Sequence, residues 1–233
     1  MITSVSYSRL SIFETCPLRA KLAFVDRIPE PDRPPPEGKT EHANDRGTRL
    51  HTLAENFVKS GNAFPPELKT FEPELRSAHR LFKKGTVTLE GEWGFTVNWK
   101  PADWKKAVIR VKVDLNFHLS PKKALVVDLK SGKRFGNEYK HTEQTQFYAV
   151  ANFFRYPKLI ETQTELWYSD VNDIWWGSYS REHGMRLAAK FQRRIDYMLN
   201  TTNFRARPSI QTCKYCPYKP TDKGGTGHCP EGV

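Results

Sequence analysis

Residues 108–133 read VIRVKVDLNFHLSPKKALVVDLKSGK, and this stretch decides the fold that the sequence predicts. Apolar and polar residues alternate through its first half, which is typical of a half-buried strand with Asp114 on the polar face. A turn is expected at residues 120–123, and a second strand then places Asp128 and Lys130 on one face. The apolar side of the first strand would consist of Val111, Val113, Leu115 and Phe117, and its polar side of Arg110, Lys112, Asp114 and Asn116.

Three charged groups of this predicted hairpin, Asp114, Asp128 and Lys130, are expected to lie close together. Two neighbouring carboxylates repel each other, and a divalent cation offsets that repulsion. Carboxylate oxygens are the ligands that suit Mg²⁺ or Mn²⁺. A pair of surface strands with solvated charges would produce the same pattern, so the hairpin alone leaves both interpretations open.

The composition favours a basic globular protein that acts on a polyanion. The chain has 233 residues, a net charge of +11 and 38% hydrophobic residues, which is enough for a sizeable core. An excess of positive charge favours nucleic acid as a partner, although many basic proteins bind none. The mean hydropathy is -0.67, and neither a membrane-spanning run nor a signal peptide is present. We therefore expect a cytoplasmic protein that does not contact a membrane.

The cysteines indicate a metal centre. The chain contains four, Cys16, Cys213, Cys216 and Cys229, and two of them form a Cys-x-x-Cys pair. Disulfides are rare in cytosolic proteins, whereas this spacing is typical of metal ligands. The tail after residue 207 has too few apolar residues to fold alone, and a metal cross-link would stabilise it.

The remaining periodicities predict helices and strands around the hairpin. Helices are predicted within residues 3–25, with Ser8 as the expected cap, and over residues 46–58, 73–82, 143–154 and 182–199. A strand or hairpin is predicted over residues 86–99 and a strand over residues 159–168. A loop is expected over the proline-rich residues 28–45, a turn at Ser131-Gly132-Lys133, and another turn beside Trp175 and Trp176.

These flanking elements carry further polar candidates. His51 and Glu55 lie one turn apart on the same face of a predicted helix. Gln144 and Tyr148 have the same spacing on another helix. Glu92, in a strand that contains two bulge-forming glycines, either faces the hairpin or is a solvated edge charge.

Five motifs in this order resemble the PD-(D/E)XK nuclease superfamily. They read SYSRLSIFETCPLRA, RGTRLHTLAE, VKVDLNF, VVDLKSGK and QTQFYA, and the resemblance runs from Ser4 to Cys229. The pattern is most similar to the RecB-like nucleases that carry an iron–sulfur cluster, a group that includes the AddB nuclease domain and the CRISPR-adaptation nucleases.

The resemblance implies a set of site residues. It assigns His51, Asp114, Asp128 and the backbone carbonyl of Leu129 as ligands of Mg²⁺ or Mn²⁺, and Lys130 as the catalytic lysine. Gln144 and Tyr148 would support the lysine or the DNA strand. Glu55 and, as a weaker candidate, Glu92 would contact the ligands rather than the metal.

The resemblance also implies that Cys16, Cys213, Cys216 and Cys229 hold a [4Fe–4S] cluster. Two positions depart from the family pattern. Val111 stands where a glycine is usual, and the spacing between Cys216 and Cys229 is longer than in the family. Zinc is therefore the alternative metal, with His228 as a substitute ligand.

The implied fold is α/β: a restriction-endonuclease-like core with a small mixed sheet flanked by helices, and a cysteine-ligated tail joined to the N-terminal helix. Residues 1–233 would form a single nuclease domain, with residues 46–200 as its core. Residues 1–25 and 205–233 would together hold the metal cluster.

The implied function is that of a metal-dependent DNA exonuclease that processes single-stranded DNA or duplex ends in recombination, replication or repair. A recombination protein or a helicase would be its partner, and host cytoplasm would be its location if a phage encodes it. The alternative is a non-catalytic DNA-end-binding module with a structural zinc or iron–sulfur site.

Overall fold

The protein is described by a computed structural model that covers residues 1–32, 35, 37–132, 136 and 138–233. Lys133 of the predicted turn lies outside these residues, as do residues 33, 34 and 36 of the predicted proline-rich loop.

A six-stranded mixed sheet forms the centre of the fold, with strand order β2-β1-β3-β4-β5-β6. Its strands are β1 (Val87–Phe95), β2 (Pro101–Ala102), β3 (Ile109–Ser120), β4 (Lys123–Lys130), β5 (Glu161–Tyr168) and β6 (Asp173–Ser180). The β4–β5 pair is parallel, and the other neighbouring pairs are antiparallel. The hairpin predicted from residues 108–133 is thus present as β3 and β4.

Helices cover both faces of this sheet, which confirms the predicted α/β class. They are α1 (Tyr7–Thr15), α2 (Pro17–Phe24), α3 (Ala43–Ser60), α4 (Glu72–Lys83), α5 (Glu138–Arg155), α6 (Arg181–Asn200) and α7 (Ile210–Cys213). Short 3₁₀ helices occupy Pro66–Phe71 and Thr221–Lys223. The N-cap of α1 is Ser6, not the predicted Ser8, because the Ser6 hydroxyl accepts a hydrogen bond from the Arg9 amide.

The sheet separates two hydrophobic cores. Residues of α1, α5 and α6 pack on one face, around Phe147 and Phe191. Residues of α3 and α4 pack on the other face, around Leu50 and Leu75. Helix α5 therefore lies behind the Asp128 face of β4, and α3 lies on the opposite side.

The predicted alternation along β3 breaks at Asp114. Val111 and Val113 pack into the core beside α5, whereas Leu115 and Phe117 pack into the core beside α3. The prediction that these four share one face was wrong. The break coincides with a distortion of β1, where Glu90, between the residues paired with Leu115 and Val113, has a left-handed backbone with φ of 44°. A local distortion of this kind interrupts the alternation of faces.

The same reversal occurs in β1. Val87 packs beside α3, whereas Trp93 and Phe95 pack beside α5. Near Glu90 and Asp114, both strands therefore switch their apolar side chains from one face of the sheet to the other. Such distortions re-aim side chains, and they are common beside active sites.

Edge strand β6 was not predicted. Trp175 and Trp176 belong to it, and the turn expected beside them ends just before Asp173. Alternate residues of β6 are solvent-exposed, and Trp176 is 69% exposed. In the described part of the chain, no helix combines the length and apolar character needed to cross a bilayer.

Candidate active site

The candidate site lies where β3 and β4 separate. These strands pair from Ser120–Lys123 to Leu115–Val127, and the next residue of β3 is Asp114. Its carboxylate takes the place of a backbone partner, because Oδ2 accepts a 2.7 Å hydrogen bond from the Leu129 amide. The side chain thus fills the gap between the diverging strands and is fixed there.

Helix α3 brings His51 to this gap. Its Nδ1 lies 3.0 Å from Oδ1 of Asp114. Burial disfavours the charged imidazole, but the hydrogen bond and the negative charge of Asp114 outweigh burial, so the pKa of His51 is raised. With Nδ1 engaged by a carboxylate, Nε2 is the ring nitrogen left to act as a ligand.

A third candidate ligand, Glu90, was missed by the sequence analysis. Among the described residues, His51, Glu90 and Asp114 form a group whose ligand atoms all lie within 4.8 Å of one another. Glu92, the predicted candidate on the same strand, is exposed and is not in this group. The left-handed backbone at Glu90 explains why Glu90, and not Glu92, faces the site, because it interrupts the regular alternation of side chains along β1. The neighbouring Gly91, a predicted bulge point, was the available signal.

On the other side of the gap, α5 holds the carboxylate of Asp128. The Tyr148 hydroxyl donates a 2.6 Å hydrogen bond to Oδ1 of Asp128, and Gln144 Nε2 donates a 2.7 Å bond to the same hydroxyl. Burial and the nearby negative charge of Asp128 raise the pKa of Tyr148 well above its ordinary value. The tyrosine therefore remains a hydrogen-bond donor throughout the physiological range.

Lys130 completes this network. Its Nζ lies 2.7 Å from Oδ2 of Asp128 and donates a 2.9 Å hydrogen bond to Gln144 Oε1. Asp128 is only 4% exposed, yet its Oδ2 receives no well-aligned hydrogen bond, so this contact with lysine is one of charge. Oδ2 therefore retains lone-pair capacity for a further positive partner.

The two aspartates lie close enough to affect each other. Burial raises the pKa of Asp114, and the charge of Asp128 raises it further, against the lowering effect of His51. The site thus concentrates negative charge in a poorly hydrated place, which is the condition that a bound cation relieves.

Glu55 has a different partner from the one expected. Its carboxylate forms an ion pair with Lys59, one turn further along α3. It nevertheless lines the same cavity of about 500 Å³ as His51, Asp114 and Asp128. We call His51, Glu90, Asp114 and Asp128 the carboxylate site.

The four cysteines also come together. Cys16, Cys213, Cys216 and Cys229 line one cavity, which we call the cysteine cavity. None of them forms a disulfide, and all but Cys216 are buried. Burial raises the pKa of the Cys229 thiol, and the other three cysteines raise it further. No three of these four sulfur atoms, all in the described part of the chain, lie within 4.8 Å of one another.

Comparisons with known proteins place the chain in a family through its sequence, and two solved structures resemble it weakly. The chain resembles a crystal structure of SSO0001, with a TM-score of 0.46 and 16% identity over 100% of this chain and 89% of that one. It also resembles the alkaline exonuclease LHK-Exo from Laribacter hongkongensis, with a TM-score of 0.30 and 9% identity over 85% of this chain and 92% of that one. No curated protein sequence gives a significant match. The family model of the PD-(D/E)XK nuclease superfamily matches residues 4–221, well over half of the chain, so this protein belongs to that superfamily of metal-dependent nucleases.

Proposed function

We propose that this nuclease is a Mg²⁺- or Mn²⁺-dependent DNA exonuclease that processes DNA ends in recombination, replication or repair. The observation that carries the proposal is the convergence of His51, Asp114, Asp128 and Lys130 at the separation of β3 and β4. The resemblance of the motifs to those of RecB-like nucleases supports the exonuclease part of the proposal.

The donors present fit a divalent cation. Carboxylate oxygens of Asp114, Asp128 and Glu90, with a nitrogen of His51, form a set that suits Mg²⁺ or Mn²⁺. The backbone carbonyl of Leu129 is a further donor, because its amide already points toward Asp114 and both polar groups of a strand residue point to the same side.

A divalent cation at these donors would lower the pKa of a water nucleophile and polarise the phosphoryl oxygen. The residues of the chain supply the remaining requirements. Lys130 holds a positive charge beside the carboxylates, and its contacts with Asp128 and Gln144 fix that charge in place before substrate binds. Fixed charges stabilise a developing negative charge without reorganisation during the reaction.

Tyr148 and Gln144 act as positioning residues in this proposal. The tyrosine hydroxyl orients Asp128 by occupying Oδ1, which leaves Oδ2, beside Lys130, as the oxygen that would bind a cation. Gln144 contacts the tyrosine through its amide nitrogen and the lysine through its oxygen, so it couples the orientations of both. Glu55 lines the cavity and would contact the metal ligands from the edge, although its carboxylate pairs with Lys59.

We further propose that the cysteine cavity holds a [4Fe–4S] cluster with a structural role. The resemblance of the motifs favours the cluster over zinc, and the four cysteines that line one cavity would supply its thiolate ligands. Residues 1–25 and 205–233 would then hold the cluster, and residues 46–200 would form the nuclease core of one domain.

A cleavage assay tests the proposed function. Single-stranded and duplex DNA, labelled at the 5′ or 3′ end, is incubated with the protein and Mn²⁺ or a chelator. We expect metal-dependent release of short products from an end, and a circular duplex should remain intact. Cleavage of the circle at the same rate would replace the exonuclease with an endonuclease, and no cleavage with any metal would remove the catalytic proposal.

A further inference from the structure

A second cavity, of about 310 Å³, adjoins the carboxylate site. It lies between the start of α1, the first half of β3 and the face of α5. Lys112 and Tyr148 line both this cavity and the one that contains the carboxylates, so the two are contiguous. We call it the serine–arginine cavity, after Ser4, Ser6, Ser8, Arg9 and Arg110.

The serine–arginine cavity holds two arginines for which the described residues provide no ion pair, whereas its lysine, Lys112, pairs with Glu90 at 2.6 Å. Arg9 and Arg110 reach it from different elements, and all of its lining residues, which belong to the described chain, are non-acidic. Burial lowers the pKa of Arg9, and the positive charge of Arg110 lowers it further. Two guanidinium groups that repel each other in a cavity are stabilised by an anion between or beside them.

Both arginines keep N–H groups for such an anion. Arg9 uses Nη1 to bind Ser4, at 2.5 Å from its hydroxyl. Arg110 donates from Nη2 to the Lys105 carbonyl at 3.2 Å, and its Nε is buried without a hydrogen-bond partner. A guanidinium has five N–H donors, so several remain uncommitted on each side chain.

Backbone amides add to these donors. The side chain of Ser6 satisfies the Arg9 amide, but the amides of Tyr7 and Ser8 precede the first hydrogen bond within α1. Both residues line the cavity, and the start of a helix carries partial positive charge. The Arg110 amide donates to the Val5 carbonyl, on the side of β3 that faces away from β1. The Lys112 amide, two residues along the strand, points to that same side.

We propose that the serine–arginine cavity binds a phosphate group of the DNA strand next to the phosphate that is cleaved. The inference rests on the proposed action on DNA and adds a subsite to it. Guanidinium groups, serine hydroxyls and helix amides together match the acceptor oxygens of a phosphate. The phosphate is either the terminal monoester of a DNA end or a diester inside the strand.

The test is DNA binding in the presence of a chelator, so that it does not depend on cleavage. Short oligothymidylates carry a 5′-phosphate, a 3′-phosphate or hydroxyls at both ends, and a further set carries one uncharged methylphosphonate linkage near an end. The variant is Arg110→Gln, with Arg110→Lys to keep the charge. The control is Arg186→Gln, which removes the same charge from an exposed position that does not line the cavity. Thermal unfolding checks that each variant folds.

We expect Arg110→Gln to weaken binding about tenfold, as for one lost charge-assisted hydrogen bond. Arg186→Gln should weaken it less than about twofold. If the wild type binds DNA with a terminal phosphate more tightly than DNA without one, and Arg110→Gln removes that preference, the bound group is the terminal monoester. If the methylphosphonate linkage weakens binding by the wild type but not by Arg110→Gln, the bound group is a diester inside the strand.

Equal effects of Arg110→Gln and Arg186→Gln, with no dependence on either phosphate, would overturn the inference. The proposed function is tested separately. Phosphate-dependent binding by a protein that cleaves no DNA would support the subsite and contradict the proposed cleavage mechanism. Cleavage without phosphate-dependent binding would support the mechanism and contradict the subsite.

Discussion

The carboxylate site is assembled by neighbouring strands of one sheet, whereas the cysteine cavity is assembled by the two ends of the chain. Asp114 and Asp128 are held by the β3–β4 hairpin and by α5, within a core that packs on both faces of the sheet. Cys16 follows α1, and its three partners lie beyond residue 212. The sheet would form without its acidic side chains, whereas the described part of the tail packs only a small apolar cluster, with Tyr218 against Leu22.

The difference predicts separate consequences of mutation. Removing a group of the carboxylate site should remove chemistry and preserve the fold. Removing a cysteine should weaken the fold and affect chemistry only through unfolding. An ion-pair network connects the two regions, because Arg194 binds Glu14 at the end of α1 and Glu143 beside Gln144.

The largest effect is expected for Lys130→Met, which keeps the length of the side chain and removes its charge. Loss of a fixed charge that stabilises the transition state should lower the cleavage rate about a thousandfold. DNA affinity and the unfolding midpoint should change little. Rates under single-turnover conditions with Mn²⁺ measure the effect, and Lys83→Met, at an exposed residue of α4, is the matched control.

The next effect concerns the tail. Cys213→Ser should lower the free energy of unfolding by about 3–5 kcal/mol if a cross-link between the chain ends is lost, since closing a long loop restricts the unfolded chain most. Ile210→Ala, at an 82% exposed residue of the same short helix, should be nearly neutral. Denaturant unfolding of anaerobically purified protein provides the comparison, and equal stability of the two variants would contradict the cross-link.

A smaller effect on stability is expected where the regions are joined. Burial alone would raise the pKa of Glu143, but hydrogen bonds and charge from Arg194 and Lys190 lower it below the ordinary 4.5. Its contribution to stability is therefore present above pH 4.5 and is lost as the pH falls through the lower folded value. Glu143→Gln should cost about 1–3 kcal/mol at neutral pH. That difference from wild type should shrink in acid, as urea unfolding at several pH values would reveal.

The smallest effect separates two glutamates of β1. Glu90→Gln should raise the Mn²⁺ concentration for half-maximal cleavage about tenfold, because it removes one anionic ligand. Glu92→Gln, two residues away and exposed, should leave it unchanged. If Glu92→Gln has the larger effect, the assignment of Glu90 to the site is wrong.

The hairpin and its flanking helices could be predicted because their signals are local. The alternation of apolar and polar residues predicted strands β3 and β4, and it also predicted that Asp128 and Lys130 lie on the same face of β4. The role of Glu90 could not be predicted, since strict alternation selects Glu92 unless the left-handed backbone at Glu90 is known. No local pattern in the sequence specifies a left-handed backbone at a glutamate, a conformation that non-glycine residues seldom adopt.

The rest depended on contacts that are distant in sequence. Strand β6 has alternate exposed residues and lies at the sheet edge, so Trp175 and Trp176 gave no clear strand pattern. The serine–arginine cavity joins residues 4–9 with residues 110–112 and α5, and no local pattern relates them. The cysteine spacing predicted a metal centre, but only the fold brings Cys16 beside the tail.

The most direct measurement compares Asp128→Asn with Cys229→Ala in the same preparation conditions, recording Mn²⁺-dependent cleavage per folded molecule and the thermal midpoint of each. We predict that Asp128→Asn is inactive with a midpoint close to wild type. Cys229→Ala should unfold at a lower temperature yet cleave at nearly the wild-type rate while folded. Wild-type cleavage by folded Asp128→Asn would contradict the central claim that the separation of β3 and β4 forms the catalytic metal site.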